Sequence, residues 1–222
     1  MKKAVVLLSG GLDSTTALYW AKSRGYAVEA LAVDYGQRHR RELSAAAGVA
    51  KAAKVPLHTM RLPLPWLKTS SLVDSRKKLP DVALAKIGRG AIPSTYVPGR
   101  NTMFLSVALS LADTVGAEAI VIGANALDYS GYPDCRPAFI RAFELTARHG
   151  SKRGAEGKTL KIHAPLLKLD KKGIVALAKK VKAPLEKTWS CYAGGKRPCG
   201  RCDSCKLRAK GFAEAGQADP AL

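Results

Sequence analysis

Apolar residues in the first third of the chain follow two alternating patterns. Ala4-Val5-Val6-Leu7-Leu8 is a short unbroken apolar run that stops at Ser9-Gly10-Gly11, as in a strand buried on both faces and followed by a sharp turn. Directly after it Ala17, Leu18 and Ala21 recur at helical spacing. They predict a helix ending near Gly25, with Asp13 or Ser14 available to cap its start. Residues 28–33 then read as a second strand, 38–53 as a long alanine-rich helix and 57–62 as a third strand. Such β-α-β-α-β alternation predicts an α/β fold, a Rossmann-like parallel sheet with helices on both faces and ligands at the carboxyl ends of the strands.

The rhythm breaks over residues 63–100, where Pro63, Pro65, Pro80, Pro93 and Pro98 interrupt any regular element. A long irregular stretch inside a compact domain is commonly functional. Periodicity returns as a helix near 102–115, a strand at 119–122 and, after a loop reaching Arg136, a helix over 137–149. Residues 150–158 are polar and glycine-rich, predicting an exposed, flexible connection. Beyond it, 160–164 suit another strand and 171–181 another helix, while the tail after Gly211 reads as loosely ordered. The pattern divides the chain into an α/β domain over 1–182 and a small C-terminal segment over 183–222.

The first chemistry sits in the turn after the first strand. Ser9-Gly10-Gly11-Leu12-Asp13-Ser14 ends a strand and opens a helix, so backbone N–H groups converge at the positive end of the helix dipole, where a phosphate is stabilised. Gly10 and Gly11 permit tight backbone conformations and close approach of an anion, and the hydroxyls of Ser9, Ser14 and Thr15 add donors. The chain has neither a Walker loop with its lysine nor a Gly-x-Gly-x-x-Gly turn. The loop resembles the Ser-Gly-Gly-x-Asp-Ser signature of the PP-loop ATP pyrophosphatases, a fold of the adenine nucleotide alpha hydrolase type. That resemblance implies cleavage of ATP between its α and β phosphates and adenylation of a substrate oxygen. ATP contacts are then expected from Leu8, Ser9, Gly10, Gly11, Leu12, Asp13, Ser14, Thr15, Thr16, Ala17 and Leu18. Asp13 either positions Mg²⁺ or caps the helix.

Cys191, Cys199, Cys202 and Cys205 form a C-x7-C-x2-C-x2-C cluster. Four thiolates this close suggest one structural Zn²⁺ in a closed tetrahedral site, which leaves no position open for substrate. The tight triplet also fits the ligands of an iron–sulfur cluster. Cys135 stands apart, either as a buried small residue or as a substrate contact.

Composition is that of an ordinary globular chain, with 47% hydrophobic residues among 222. No apolar run approaches a membrane span and the first residues are too short a run for a signal peptide, so the expectation is a cytoplasmic protein with reduced thiols. The formal charge is +20, concentrated in residues 151–210, where 17 Lys or Arg face 4 Asp or Glu. Such a surface attracts nucleic acid, but it equally serves ATP and anionic substrates, and the scarcity of nearby aromatics argues against a nucleic-acid partner.

Three further segments narrow the picture: Asp34-Tyr35-Gly36-Gln37-Arg38-His39, residues 96–102 with Arg100 and Asn101, and residues 123–136. Together with the loop and the cysteines they resemble the family of 7-cyano-7-deazaguanine (preQ0) synthases of queuosine biosynthesis, from about Ala4 to Cys205. The resemblance implies a ligase that uses ATP to turn 7-carboxy-7-deazaguanine and ammonia into a nitrile, through adenylated carboxylate and amide intermediates. It implies small-molecule partners and leaves a homodimer open. Asp13, Arg38 and Arg100 are then catalytic candidates, because a guanidinium fork matches an α-phosphate or a substrate carboxylate. Tyr35, Gln37, Arg100, Asn101, Asp128, Tyr129, Tyr132, Asp134 and Arg136 are substrate-binding candidates, since a deazaguanine offers N–H donors and a flat face for stacking. His39 is a weaker ligand candidate, and His58, in a predicted strand, reads as structural. The alternatives are a PP-loop enzyme adenylating a base in tRNA and a basic zinc protein that binds nucleic acid.

Overall fold

The computed structural model describes residues 1–88, 92–125 and 131–221. Strand β1 (Lys3–Leu7) pairs in parallel with β2 (Ala27–Asp34) on one side and β4 (Ala119–Val121) on the other. With β3 (Leu57–Arg61) and β5 (Lys161–His163) at the edges, the described strands form an all-parallel sheet of order β3-β2-β1-β4-β5. Connections leave β1 and β4 toward opposite sides, which opens a crevice at the carboxyl ends of these two strands. The expected fold class is the observed one.

Side-chain alternation along β1 explains its unbroken apolar run. Val5 and Leu7 face helices α3 (Arg100–Val115) and α4 (Pro137–Gly150), packing in one cluster with Leu105, Ala108, Ile140 and Phe143. Ala4, Val6 and Leu8 face α1 (Leu12–Ser23) and α2 (Arg41–Ala53), through Ala17, Leu18, Ala46 and Val49. A central parallel strand is covered twice and so has no polar face. Ala17 and Leu18, expected among the ATP contacts, are fully buried in this core and do not reach the crevice. Thr15 and Thr16 are equally buried, and Thr16 Oγ1 donates to the carbonyl of Leu12 at 2.7 Å.

The phosphate-loop glycines divide their work differently from the expectation. Gly10 has φ +82, and a Cβ there would lie 2.4 Å from Ala46 N and 2.6 Å from Glu42 O. Gly10 thus lets the loop lie directly on the backbone of α2; close approach of an anion is not what requires it. At Gly11 a Cβ would meet nothing nearer than 3.5 Å.

Three boundaries differ from those read in the sequence. Helix α2 starts at Arg41 rather than at residue 38, because Arg38 N donates to Leu72 O at 2.9 Å and holds residues 38–40 in the preceding loop. The connection 150–158 is pinned, not free. It contains a helical turn, α5 (Lys152–Ala155), capped by Ser151 Oγ accepting from Gly154 N at 3.1 Å, and Asp113 accepts from the N–H groups of Lys152 and Arg153. The tail is ordered too: α7 (Asp203–Glu214) runs past Gly211, and Asp219 accepts from Arg208 Nε at 2.6 Å and Nη2 at 2.8 Å.

Helix α6 (Lys171–Lys180) joins this C-terminal part to the sheet domain, with Ile174, Val175 and Ala178 packed against Leu12, Leu185 and Phe212. The division expected at 182/183 therefore runs through a shared core. Among the described residues no helix is long and apolar enough to cross a membrane.

Two substitutions test these contacts. Gly10→Ala should destabilise the protein by roughly 2 kcal/mol or more, from overpacking and the positive φ, while Gly11→Ala should cost less than about 1 kcal/mol. Urea unfolding of both variants separates the two roles. The Arg208 and Asp219 side chains are 8% and 3% exposed. Asp219→Ala leaves the guanidinium buried without its counter-ion and should lower stability by about 3–5 kcal/mol in the same assay.

Candidate functional site

The crevice is lined by six parts of the chain. Ser9, Gly11, Asp13 and Ser14 come from the turn after β1 and the first turn of α1, and Tyr35, Gln37, His39 and Glu42 from the loop after β2 and the first turn of α2. Arg100, Asn101 and Phe104 come from the start of α3, Gly123 and Ala124 from the end of β4, and Tyr132 and Cys135 from the segment beyond. Lys171, Ser190, Tyr192 and Arg208 close it from the C-terminal side.

The turn after β1 is stiffened from within. Ser14 Oγ accepts from Ser9 N at 3.2 Å and lies 3.1 Å from Ser9 Oγ, while Ser9 Oγ accepts from Gly11 N at 3.4 Å. The N-cap of α1 is Gly11, without a side-chain cap, so neither Asp13 nor Ser14 plays the capping role expected for it. The N–H groups of the first turn, at the positive end of the helix, face the crevice without a capping oxygen. Gly123 is close enough that a Cβ there would lie 3.0 Å from Ser14 N. The end of β4 is therefore held against the start of α1, and no bulkier residue suits that position.

Asp13 is the junction of the site. Its Oδ2 accepts from Asn125 Nδ2 at 2.8 Å and from Lys171 Nζ at 2.5 Å. Its Oδ1 is buried with no hydrogen-bond partner among the described residues. A buried carboxylate oxygen left so is costly unless a cation or donor reaches it, and this fits the alternative in which Asp13 holds a divalent cation. Lys171 and Asn125 were not among the sequence candidates. Asn125 lies inside the segment 123–136, but Lys171 is one of many lysines in a basic stretch and carries no signal that singles it out.

Arg100 is set among polar groups. Burial works against its charge, but Tyr35, Cys135, Tyr132 and Asp134 together outweigh that and raise its pKa above the ordinary value, so it remains a cation. Burial raises the pKa of Tyr35, against the opposing influence of Arg100, and keeps the phenol protonated. Asn101 and Asp134 are tied to each other: Asp134 Oδ2 accepts from Asn101 N at 2.9 Å and Asp134 O from Asn101 Nδ2 at 3.0 Å. Asp134 is buried and outside the lining, so its carboxylate fixes the start of α3 and with it Arg100. Tyr132 stacks on Tyr96 at 6.1 Å and shares a 2.7 Å hydrogen bond with Thr95.

Other candidates are placed elsewhere. Arg38 donates to the carbonyls of Ser71 and Lys77 and does not line the crevice. Its guanidinium holds the irregular segment 63–100 and does not face the phosphate loop. Gln37 lines the crevice, but its amide accepts from Tyr35 N and donates to Val33 O, finishing β2. Arg136 is exposed at the N-cap of α4, outside the lining. Asp128 and Tyr129 lie outside the described residues. His58 bonds Glu29 at 2.9 Å on the β3 edge, a structural pair.

The four cysteines meet. Their sulfurs all lie within 4.8 Å of one another, a constellation able to hold a metal. A hydrogen bond from Cys205 lowers the Cys202 thiol to about 5, and one thiolate in such a group is the natural start of metal binding. The cluster braces the site. Trp189 N donates to Gly10 O at 2.9 Å, the Arg41 guanidinium lies 4.3 Å over the Trp189 ring, and Arg41 also donates to the carbonyls of Gly195 and Lys196.

Comparison with known proteins agrees with this geometry. Residues 3–216 match the family model described as queuosine biosynthesis protein QueC. The chain is 52% identical over 220 residues to a 7-cyano-7-deazaguanine synthase of Desulfitobacterium hafniense, spanning 99% of this chain and 92% of that protein. It is 53% identical over 221 residues to a 7-cyano-7-deazaguanine synthase of Thermosynechococcus vestitus, spanning 99% and 94%. Among solved structures it resembles NMN synthetase from Francisella tularensis, with TM-score 0.52 and 15% identity over 98% of this chain and 78% of that one, a likeness of fold.

Lys171→Met removes the cation from Asp13 without emptying the core, because the Lys171 side chain stands at the mouth of the crevice, 15% exposed. The variant should fold with a stability loss of about 1–3 kcal/mol, since the Asp13 carboxylate keeps Asn125 but loses its charged partner. Circular dichroism and thermal melting check it.

Proposed function

The chain belongs to the QueC family of queuosine biosynthesis proteins, and we propose that it is the ATP-dependent ligase making 7-cyano-7-deazaguanine from 7-carboxy-7-deazaguanine and ammonia. The observation that carries this reading is the convergence in one crevice of an uncapped helix N-terminus, the Asp13–Lys171 pair and a permanently charged Arg100. A carboxylate is inert to ammonia until one oxygen becomes a leaving group, and ATP supplies that activation by transferring AMP. The chain must therefore hold a polyphosphate and a carboxylate side by side, then repeat the activation on the amide oxygen. The first-turn N–H groups of α1 with Ser9 and Ser14 suit the β and γ phosphates. Asp13 Oδ1 suits Mg²⁺, and Arg100 suits the α-phosphate or the substrate carboxylate. Tyr132 and the buried phenol of Tyr35 offer aromatic surface for the deazaguanine.

For the cysteines we propose one structural Zn²⁺. Zinc–sulfur bonds of about 2.3 Å set tetrahedral sulfurs about 3.8 Å apart, in keeping with the close grouping of the thiols, whereas a cluster of several irons needs ligands more widely spaced. A cytoplasmic setting suits reduced thiols and an ATP-using enzyme. Adenylation of a base in tRNA shares the loop and the cysteines with the ligase reading and adds the +20 charge, and the crevice accounts for the ligase reading without that charge.

Purified protein with 7-carboxy-7-deazaguanine, ammonium, ATP and Mg²⁺ should yield the amide and then the nitrile, with one AMP per step, by liquid chromatography and mass spectrometry. AMP release stimulated by tRNA in the absence of nitrile or amide would overturn the reading. Metal analysis should find one zinc per chain and no iron. Cys199→Ser should lose most of it and melt at a lower temperature.

A further inference from the structure

Ammonium, the dominant form of ammonia at neutral pH, has no lone pair with which to attack an acyl adenylate. A ligase that captures it as ammonium needs a group inside the crevice to take a proton from it. Most titratable groups lining the crevice are committed. Asp13 Oδ2 is engaged by Lys171 and Asn125, Tyr35 is held protonated, and Arg100 and Arg208 are cations in polar networks. The Cys135 thiol accepts from Asn101 Nδ2 at 3.1 Å.

His39 differs from all of these. It lines the crevice yet is 2% exposed, and its Nε2 lies 3.1 Å from Glu42 Oε2. In the tautomer that carries its proton on Nε2, beside that carboxylate, the lone pair resides on Nδ1. Nδ1 is buried with no hydrogen-bond partner among the described residues. An unpaired ring nitrogen in a buried site is a cost the fold carries unless a donor comes to it. The groups facing the ring are Glu42, from the first turn of α2, and Tyr192, at 5.7 Å between ring centres. The same first turn packs on Gly10 through the Glu42 carbonyl, which sets the imidazole beside the phosphate loop.

Building on the ligase reading, we propose that His39, oriented by Glu42, is the base that takes a proton from ammonium in the crevice. One N–H bond of ammonium breaks and its proton passes to His39 Nδ1, leaving ammonia with its lone pair. That pair forms the C–N bond at the adenylated carbon. The C–O bond to the phosphate oxygen breaks, its electrons leave with AMP, and the nitrogen sheds its surplus proton to water. Glu42 stabilises the imidazolium until it too returns its proton to solvent, as the carboxylate behind a catalytic histidine does.

Hydroxylamine tests the assignment, because at pH 7 it is already neutral and needs no base. His39→Gln keeps a donor toward Glu42 and deletes Nδ1. With ammonium this variant should form amide at least about 100-fold more slowly than the parent. With hydroxylamine its release of AMP should stay within about threefold of the parent, in the range that marks no lost catalytic group. Glu42→Gln, which keeps the side chain's shape, should show the same selective loss to a smaller degree and serves if His39→Gln does not fold. Ammonium turnover within threefold of the parent in the folded variants, or an equal loss with both nucleophiles, would overturn the proposal. Failure of the unaltered protein to form amide would instead remove the ligase reading, and this proposal with it.

Discussion

A half-buried carboxylate in the first turn of a helix must find cations or donors, and Asp13 draws them from far along the chain. Asn125 is 112 residues away and Lys171 is 158 residues away, yet both reach the same oxygen. The pairing joins the start of α1, the end of β4 and the start of α6 at one point, the crevice where the strand order reverses. Gly123 makes the approach possible by lacking a side chain against Ser14. With those three elements locked, the second oxygen of Asp13 is buried with no hydrogen-bond partner among the described residues.

The cysteine segment extends the same constraint to the other side of the phosphate loop. Trp189 reaches the Gly10 carbonyl, and Gly10 in turn lies on the backbone of α2. A loop held on both flanks keeps its N–H groups aimed at a fixed point, and preorganised dipoles of this kind lose little on binding an anion. The cysteine segment thus bears on the shape of the loop after β1. Their cluster packs with Ala45 and Tyr192, and Tyr192 also meets His39, so the cysteine cluster, the imidazole and the loop after β1 share one wall.

Charge is arranged in two ways in this protein. Much of the positive excess lies on exposed side chains, where ion pairs such as Lys158–Glu156 contribute little. Within the crevice the cations are few and fixed: Arg100 by Asp134 and its tyrosine neighbours, Lys171 by Asp13, Arg208 by Asp219. A guanidinium held in place by its partners does not need to be desolvated again when an anion arrives.

The amino-acid sequence determined the elements whose signals are local. The apolar run before Ser9 made β1 a central strand, the glycines and serines made the turn after it, and four closely spaced cysteines made a metal-binding cluster. Resemblance at a few motifs was enough to indicate the family. Other features depended on where distant segments meet. Nothing near Lys171 sets it apart from its neighbours in a basic stretch, and only the packing of α6 on α1 brings its amine to Asp13. Arg38 looked suited to a phosphate, but the irregular segment 63–100 offered it carbonyls instead. The tail looked loose by composition and is held because Asp219 meets a buried guanidinium. A strand or a turn is specified within a few residues, whereas the partner of a buried charge is chosen by the fold.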